Sequence, residues 1–212
     1  NNLFIRGAAD SLKPGNLFIS AIEHPCVLKP AQALARRSCD QWTTHQLAVN
    51  PSGQVDLDAA NAAMHVNKPG LVSVMLANNE TGVIQDVAGI AEMARSHGAY
   101  MHTDAIQGLG KIPLDFAALK VHAMTLSAHK IYGPKGAAAL IVDKRLLLKP
   151  LIYGGGHENG LRSGTENVPA IVGFGVACEL AKSRMPETAI HVSKLRDHLE
   201  KGLIAMGAVI FG

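Results

Sequence analysis

At 212 residues, 48% of them hydrophobic, the chain can bury a substantial core. With 17% charged and 4% aromatic residues and abundant Gly and Ala, it suits tight α/β packing rather than disorder or a coiled coil. The net charge of +3 comes without a basic run interleaved with aromatics, so no nucleic-acid partner is expected, and no apolar stretch reaches the roughly 18 residues that cross a bilayer, so no membrane partner is expected either.

Taken in chain order, the first residues, NNLFIRGAADSLKPG, read as a helix already under way. Strands are expected near 16–21, 41–48, 71–77, 99–105, 122–128 and 137–143. Helices are expected near 26–38, 57–66 and 86–97, with a short turn at 115–119. Asp56 and Asp86 stand where N-caps belong, and Gly98 closes the helix that Asp86 opens. The runs LVSVMLA and AAALIV are apolar throughout, as in strands covered on both faces, which predicts an α/β fold with a mainly parallel sheet flanked by helices. Beyond residue 166, NVPAIVGFGVACELAKS and ETAIHVSKLRDHLEKGLIAM read as two long helices, and GAVIFG as a strand just begun. Cys26, Cys39 and Cys178 form no Cys-x-x-Cys pair, and no targeting segment is evident, so a reducing, cytoplasmic setting is expected.

In an open α/β sheet, ligands gather at the carboxyl ends of the strands. Four expected strands end in polar clusters: Glu23 and His24; Asn78, Asn79 and Glu80; Asp104 and Gln107; Ser127, His129 and Lys130. In LSAHKIYGPKG a lysine follows an uncharged run and precedes a Gly-Pro-Gly turn. A lysine desolvated at such a mouth has a lowered pKa and can form a Schiff base, although it can also simply reach out to water.

An aldehyde cofactor, pyridoxal 5'-phosphate, gives each cluster a task. Lys130 would bond the aldehyde, and Asp104 would face the protonated pyridine nitrogen that makes the ring an electron sink. His24 could stack on the ring, and Asn79 and Gln107 could donate to its phenolic oxygen. Ser127 and His129 stand close enough to the lysine to hold the phosphate. The stretch GGGHENGLRSGTEN, with Ser163 and Thr165, is a Gly-rich loop of the kind that binds phosphate through backbone N–H groups. The plainer alternatives are a turn aspartate, a surface histidine, turn-capping amides and a surface loop.

The segments EHPCV, LANNETGVIQDV, HTDAIQGLGKIPLD, SAHKIYGPKGAAALIV and GGGHENGLRSGTENVPAIVGFG, in that order, resemble the class V aminotransferases, in particular the cysteine desulfurases, from residue 1 to about 182. The resemblance implies the large domain of a fold type I pyridoxal-phosphate enzyme over 1–182, and a linking helix with the start of a small C-terminal domain over 183–212. It implies Lys130, His24 and Asp104 as catalytic residues, with Asn79, Gln107, Ser127, His129 and Thr165 completing the cofactor site. Thr165 would serve the neighbouring subunit of a homodimer with shared active sites. The implied activity converts L-cysteine to alanine and passes the sulfur, as an enzyme persulfide, to an acceptor protein for iron–sulfur cluster or thio-cofactor assembly. Three departures stand out: the phosphate loop expected before Asn1, the persulfide cysteine expected beyond residue 212, and the substrate-binding arginine are all missing. The chain is thus expected to be a fragment, inactive alone. Selenocysteine lyase or another class V activity, a non-catalytic dimerisation unit, and a metal hydrolase using His102, Asp104, His129 and His157 are the competing readings.

Overall fold

The computed structural model describes residues 1–36 and 42–210. All six expected strands form, each five residues long: β1 (Asn16–Ser20), β2 (Thr43–Leu47), β3 (Pro69–Ser73), β4 (Tyr100–Asp104), β5 (Ala123–Ser127) and β6 (Ala138–Val142). They make one sheet in the order β2-β1-β3-β4-β5-β6, parallel throughout except for β6, which runs antiparallel to β5. The chain reverses its direction of travel across the sheet between β1 and β3. That is the place where an open parallel sheet leaves a crevice at its carboxyl ends.

Side-chain alternation explains why both faces are covered. Phe18 and Val72 point into one core layer with Ile90 and Ala94 of α4 (Val87–Ser96) and Met64 of α3 (Leu57–Val66). Their neighbours Leu17, Ile19 and Leu71 point into the opposite layer with Phe4 and Ile5 of α1 (Asn2–Ala9) and Val27 of α2 (Pro25–Ala35). The two capping aspartates act as expected: Asp56 accepts from the Ala59 N–H and Asp86 from the Gly89 N–H, each at 2.9 Å. Gly98, at φ +77°, closes α4.

The C-terminal region differs from the expected pair of helices. One helix, α5 (Val168–Ala205), runs through Pro186 and across the boundary between residues 182 and 183. A proline interrupts one backbone hydrogen bond, and with thirty-eight residues of helix around it that loss does not end the element. No strand forms at 207–210, and residues 211–212 lie outside those described. The end of the helix expected at 26–38 and Cys39 also fall outside the described residues.

Candidate active site

Four chain segments meet at the carboxyl edge of the sheet. Asp104 ends β4 and is only 4% exposed. Its Oδ1 accepts from the Ile106 N–H at 3.1 Å, and its Oδ2 accepts from Asn1 Nδ2 at 2.8 Å. Cys26 Sγ lies 3.5 Å from the same Oδ2 and 2.9 Å from His24 Nδ1. Cys26 therefore ties the two expected cofactor residues to one place. His24 is exposed and caps α2, its Nδ1 accepting from the Cys26 N–H at 3.2 Å. With Nδ1 used as an acceptor, the neutral ring carries its proton on Nε2. Burial, reinforced by Asp104, pushes the Cys26 thiol up to about 11, so it remains a thiol near neutrality.

The lysine stands one strand away. Asp104 pairs with Thr125 across the ladder between β4 and β5, and β5 runs on to Ser127. A 3-10 turn follows over Ala128–Ile131, anchored by the buried Ala128 and Ile131. It ends at Tyr132, a bulky residue in the left-handed region at φ 64° and fully exposed, a costly conformation of the kind that clusters at functional sites. Buried Ser127 Oγ lies 2.7 Å from His129 Nδ1, a ready hydroxyl–imidazole pair beside the lysine. Lys130 itself is exposed. The partial desolvation expected from the apolar run stops at Ala128, because the turn lifts the next two side chains out of the sheet.

Glu23 bridges the crevice between β1 and β3. Its Oε1 accepts from Ser20 Oγ and from the Met75 N–H, both at 2.6 Å, while the buried Oε2 has no partner. Burial raises its pKa to about 8 against the opposing pull of those two hydrogen bonds, with Asp104 adding to the rise. Two acceptor bonds on Oε1 leave Oε2 as the seat of the proton.

On the next strand ends, Asn79, Glu80, Gln107 and Lys111 line one cavity of about 390 Å³. Asn78 shapes its rim: its Oδ1 accepts from the N–H groups of Glu80 and Thr81 at 2.9 Å each, which presents the exposed Asn79. Lys111 donates to Gln107 Oε1 at 2.5 Å. Its pKa is pulled down by burial first and by the charge of Lys130 second. Sequence reading passed over Lys111, although QGLGK places it one helical turn after Gln107.

Thr165 is exposed on the loop before α5, where Asn167 caps the helix. Ser163 is buried in the same loop, its N–H donating to the Ile152 carbonyl at 3.3 Å. His102 is a core residue: it stacks on Phe4 with ring centroids 4.5 Å apart and lies 2.8 Å from both Ser73 Oγ and Thr125 Oγ1. Burial holds its pKa well below the usual range. Among the described residues no group of three or more His, Cys, Asp or Glu is arranged to hold a metal ion. The donor set fits a phosphorylated pyridine aldehyde: an accessible primary amine, a buried carboxylate on the adjacent strand, an imidazole tied beside it, and a hydroxyl–imidazole pair next to the amine.

The family model for class V aminotransferases matches residues 1–211. The chain is 44% identical to the cysteine desulfurase IscS of Colwellia psychrerythraea over 213 aligned positions, covering 99% of this chain and 52% of that protein. It is equally 44% identical to the IscS of Pectobacterium atrosepticum, covering 96% of this chain and 50% of that one. Among solved structures, a NifS-like protein from Rickettsia africae superposes with a TM-score of 0.87 at 39% identity, covering 96% of this chain and 54% of the other. A second NifS-like protein gives 0.93 at 35% identity, covering 100% and 58%. The chain thus spans about half the length of the relatives it matches.

Proposed function

The chain belongs to the class V aminotransferase family, whose enzymes depend on pyridoxal phosphate, and on that premise we propose that it is the cofactor-binding part of a cysteine desulfurase. The observation that carries the reading is the meeting of a buried strand-end carboxylate, Asp104, with His24 through Cys26, one strand from the exposed amine of Lys130.

When bound, the cofactor supplies an electron sink for the pair left behind as a bond to the amino-acid Cα breaks. The chain's own residues supply the rest. Asp104, held by the Ile106 N–H, would set its carboxyl group against a protonated ring nitrogen. Lys130 Nζ would hold the aldehyde, and its amine would be the group placed to carry a proton. His24, its Nδ1 occupied, offers Nε2–H at the mouth of the crevice. Ser127 and His129 would hold the phosphate, and Thr165 would hold the phosphate of a neighbouring protomer in the proposed cytoplasmic homodimer. The attacking thiolate comes from elsewhere: Cys26 is held as a thiol by burial and by Asp104, and burial also raises Cys178. L-cysteine is the proposed substrate and a sulfur-acceptor protein the proposed partner.

Borohydride reduction of the cofactor-loaded protein followed by peptide mapping tests this reading. The pyridoxyl group is expected on Lys130, in the peptide containing SAHK. Lys111 is the informative competitor, because its own pKa is pulled down by burial and it lines the neighbouring cavity. A label on Lys111 or Lys135, or none at all, overturns the assignment.

A further inference from the structure

Lys111 follows Gln107 by four residues on the helical turn after β4, where the N–H groups of Lys111 and Ile112 both donate to the Gly108 carbonyl at 3.1 Å. An ammonium can only donate, so the 2.5 Å contact from Lys111 Nζ occupies the oxygen end of the Gln107 amide. Gln107 is left with its Nε2 hydrogens for whatever enters the cavity that both residues line. Without Lys111 the amide could present either end, and a side-chain amide chooses its orientation from its partners alone.

The turn has little room to drift. A Cβ on Gly108 would stand 2.7 Å from Leu76 Cδ2, and one on Gly110, at φ +71°, would stand 2.9 Å from both Ile131 and Ala181. Ile131 adjoins Lys130 in the 3-10 turn, so this packing sets the Gln107–Lys111 pair against the turn that carries the proposed aldehyde-binding amine.

We infer that Lys111 is a positioning residue that locks the Gln107 amide as a hydrogen-bond donor toward an anionic oxygen of the ligand, which under the reading above is the phenolic oxygen of pyridoxal phosphate. The inference rests on that reading. The other charged groups facing this turn are Lys130 on the 3-10 turn and Glu80 in the same cavity. Both stay unchanged in the variants below.

A donor aimed at an ionised oxygen lowers the pH at which that oxygen ionises. The measurement is the midpoint of the absorbance pH titration of the cofactor-loaded protein. Lys111→Met and Gln107→Leu are each expected to raise it by about one pH unit, the scale of one charge-assisted hydrogen bond. Lys111→Arg keeps the donor and is expected to hold the parent midpoint. The double variant Gln107→Leu/Lys111→Met is expected to shift no further than either single one, since both remove the same interaction. Lys111→Gln is the milder second probe: its amide satisfies Gln107 at either end, so a smaller rise is expected. Parent midpoints in Lys111→Met or Lys111→Gln, or fully additive shifts in the double variant, overturn the inference. No cofactor band in the parent protein overturns the reading beneath it and the inference together. A normal parent band with unmoved variants overturns the inference alone.

Discussion

Two regions were expected to hold the same cofactor, and they are built in opposite ways. At the sheet edge Asp104, Glu23 and Ser127 are buried, and each has hydrogen-bond partners before any ligand arrives. In the loop over 154–166 Thr165 is exposed, while Gly156 and Gly160 sit at positive φ with open space around them. A buried carboxylate that is already oriented can stabilise charge without reorganising, which is where electrostatic catalysis gains most. An exposed hydroxyl has no such advantage within its own protomer. The difference teaches that the polar groups at the sheet edge are oriented by the chain's own packing, whereas the Thr165 hydroxyl is not.

The strongest way to break that comparison is at Asp104. Asp104→Asn keeps an oxygen for the Ile106 N–H, and Asn1, whose own Oδ1 is unpartnered, can turn its amide to accept from the new one. The fold is therefore expected to survive with an unchanged far-ultraviolet circular dichroism spectrum. If the whole protein is the proposed desulfurase, its cysteine turnover is expected to fall about 10²- to 10³-fold, because an amide cannot hold the opposing charge. Turnover within twofold of the parent would make Asp104 a turn residue and the sheet edge no more preorganised than the loop.

Glu23 sharpens the comparison through pH. Its folded pKa of about 8 lies above the ordinary value of 4.5, so the native state keeps a proton that the unfolded chain has lost. Stability falls wherever the native state binds more protons than the unfolded one. The contribution of Glu23 is thus fully present below about pH 4.5 and is lost as pH rises to about 8, at up to about 1.4 kcal/mol per pH unit. Glu23→Gln resembles the protonated acid, keeping an oxygen for Ser20 and Met75 and placing its amide where Oε2 stood. Chemical denaturation at a series of pH values is expected to show a flatter profile for the variant between pH 5 and 8, with the variant the more stable at the upper end. Parallel profiles would mean that Glu23 does not hold its proton there.

The uniformly apolar runs LVSVMLA and AAALIV made the parallel sheet readable from sequence, as β3 bears out with four of its five residues buried, although the edge strand β6 is only partly covered. The strand-end polar clusters were readable for the converse reason: Asp104 and Ser127 have no place in an aliphatic core unless something holds them. What could not be read depends on tertiary packing. The buried state of Glu23 needs Met75, fifty-two residues away, and the exposure of Lys130 depends on a 3-10 turn that apolar patterning does not announce. Lys111 was hidden because a solvent-facing lysine looks alike whether or not its head is pinned. Pro186 misled in the other direction, because propensity alone ends a helix that here runs on through it.

The loop supplies the smallest effect and the test of what it acts on. Thr165→Val changes an exposed side chain that makes no described hydrogen bond, so folding stability is expected to move by no more than about 0.5 kcal/mol. If Thr165 serves the neighbouring protomer of a homodimer, cofactor affinity is nevertheless expected to drop about ten- to a hundredfold, the scale of one hydrogen bond to a charged group. Mixing separates the two arrangements. A heterodimer of one Thr165→Val protomer and one Lys130→Ala protomer has one site with an intact lysine and the partner's intact threonine. The other site lacks both groups. With sharing across protomers, borohydride labelling of Lys130 in the mixed dimer therefore recovers the parent's cofactor affinity. With each threonine serving its own protomer, every labelled lysine keeps the weakened affinity of Thr165→Val. The second result would place the loop's chemistry inside one subunit and remove the reason offered for its exposure.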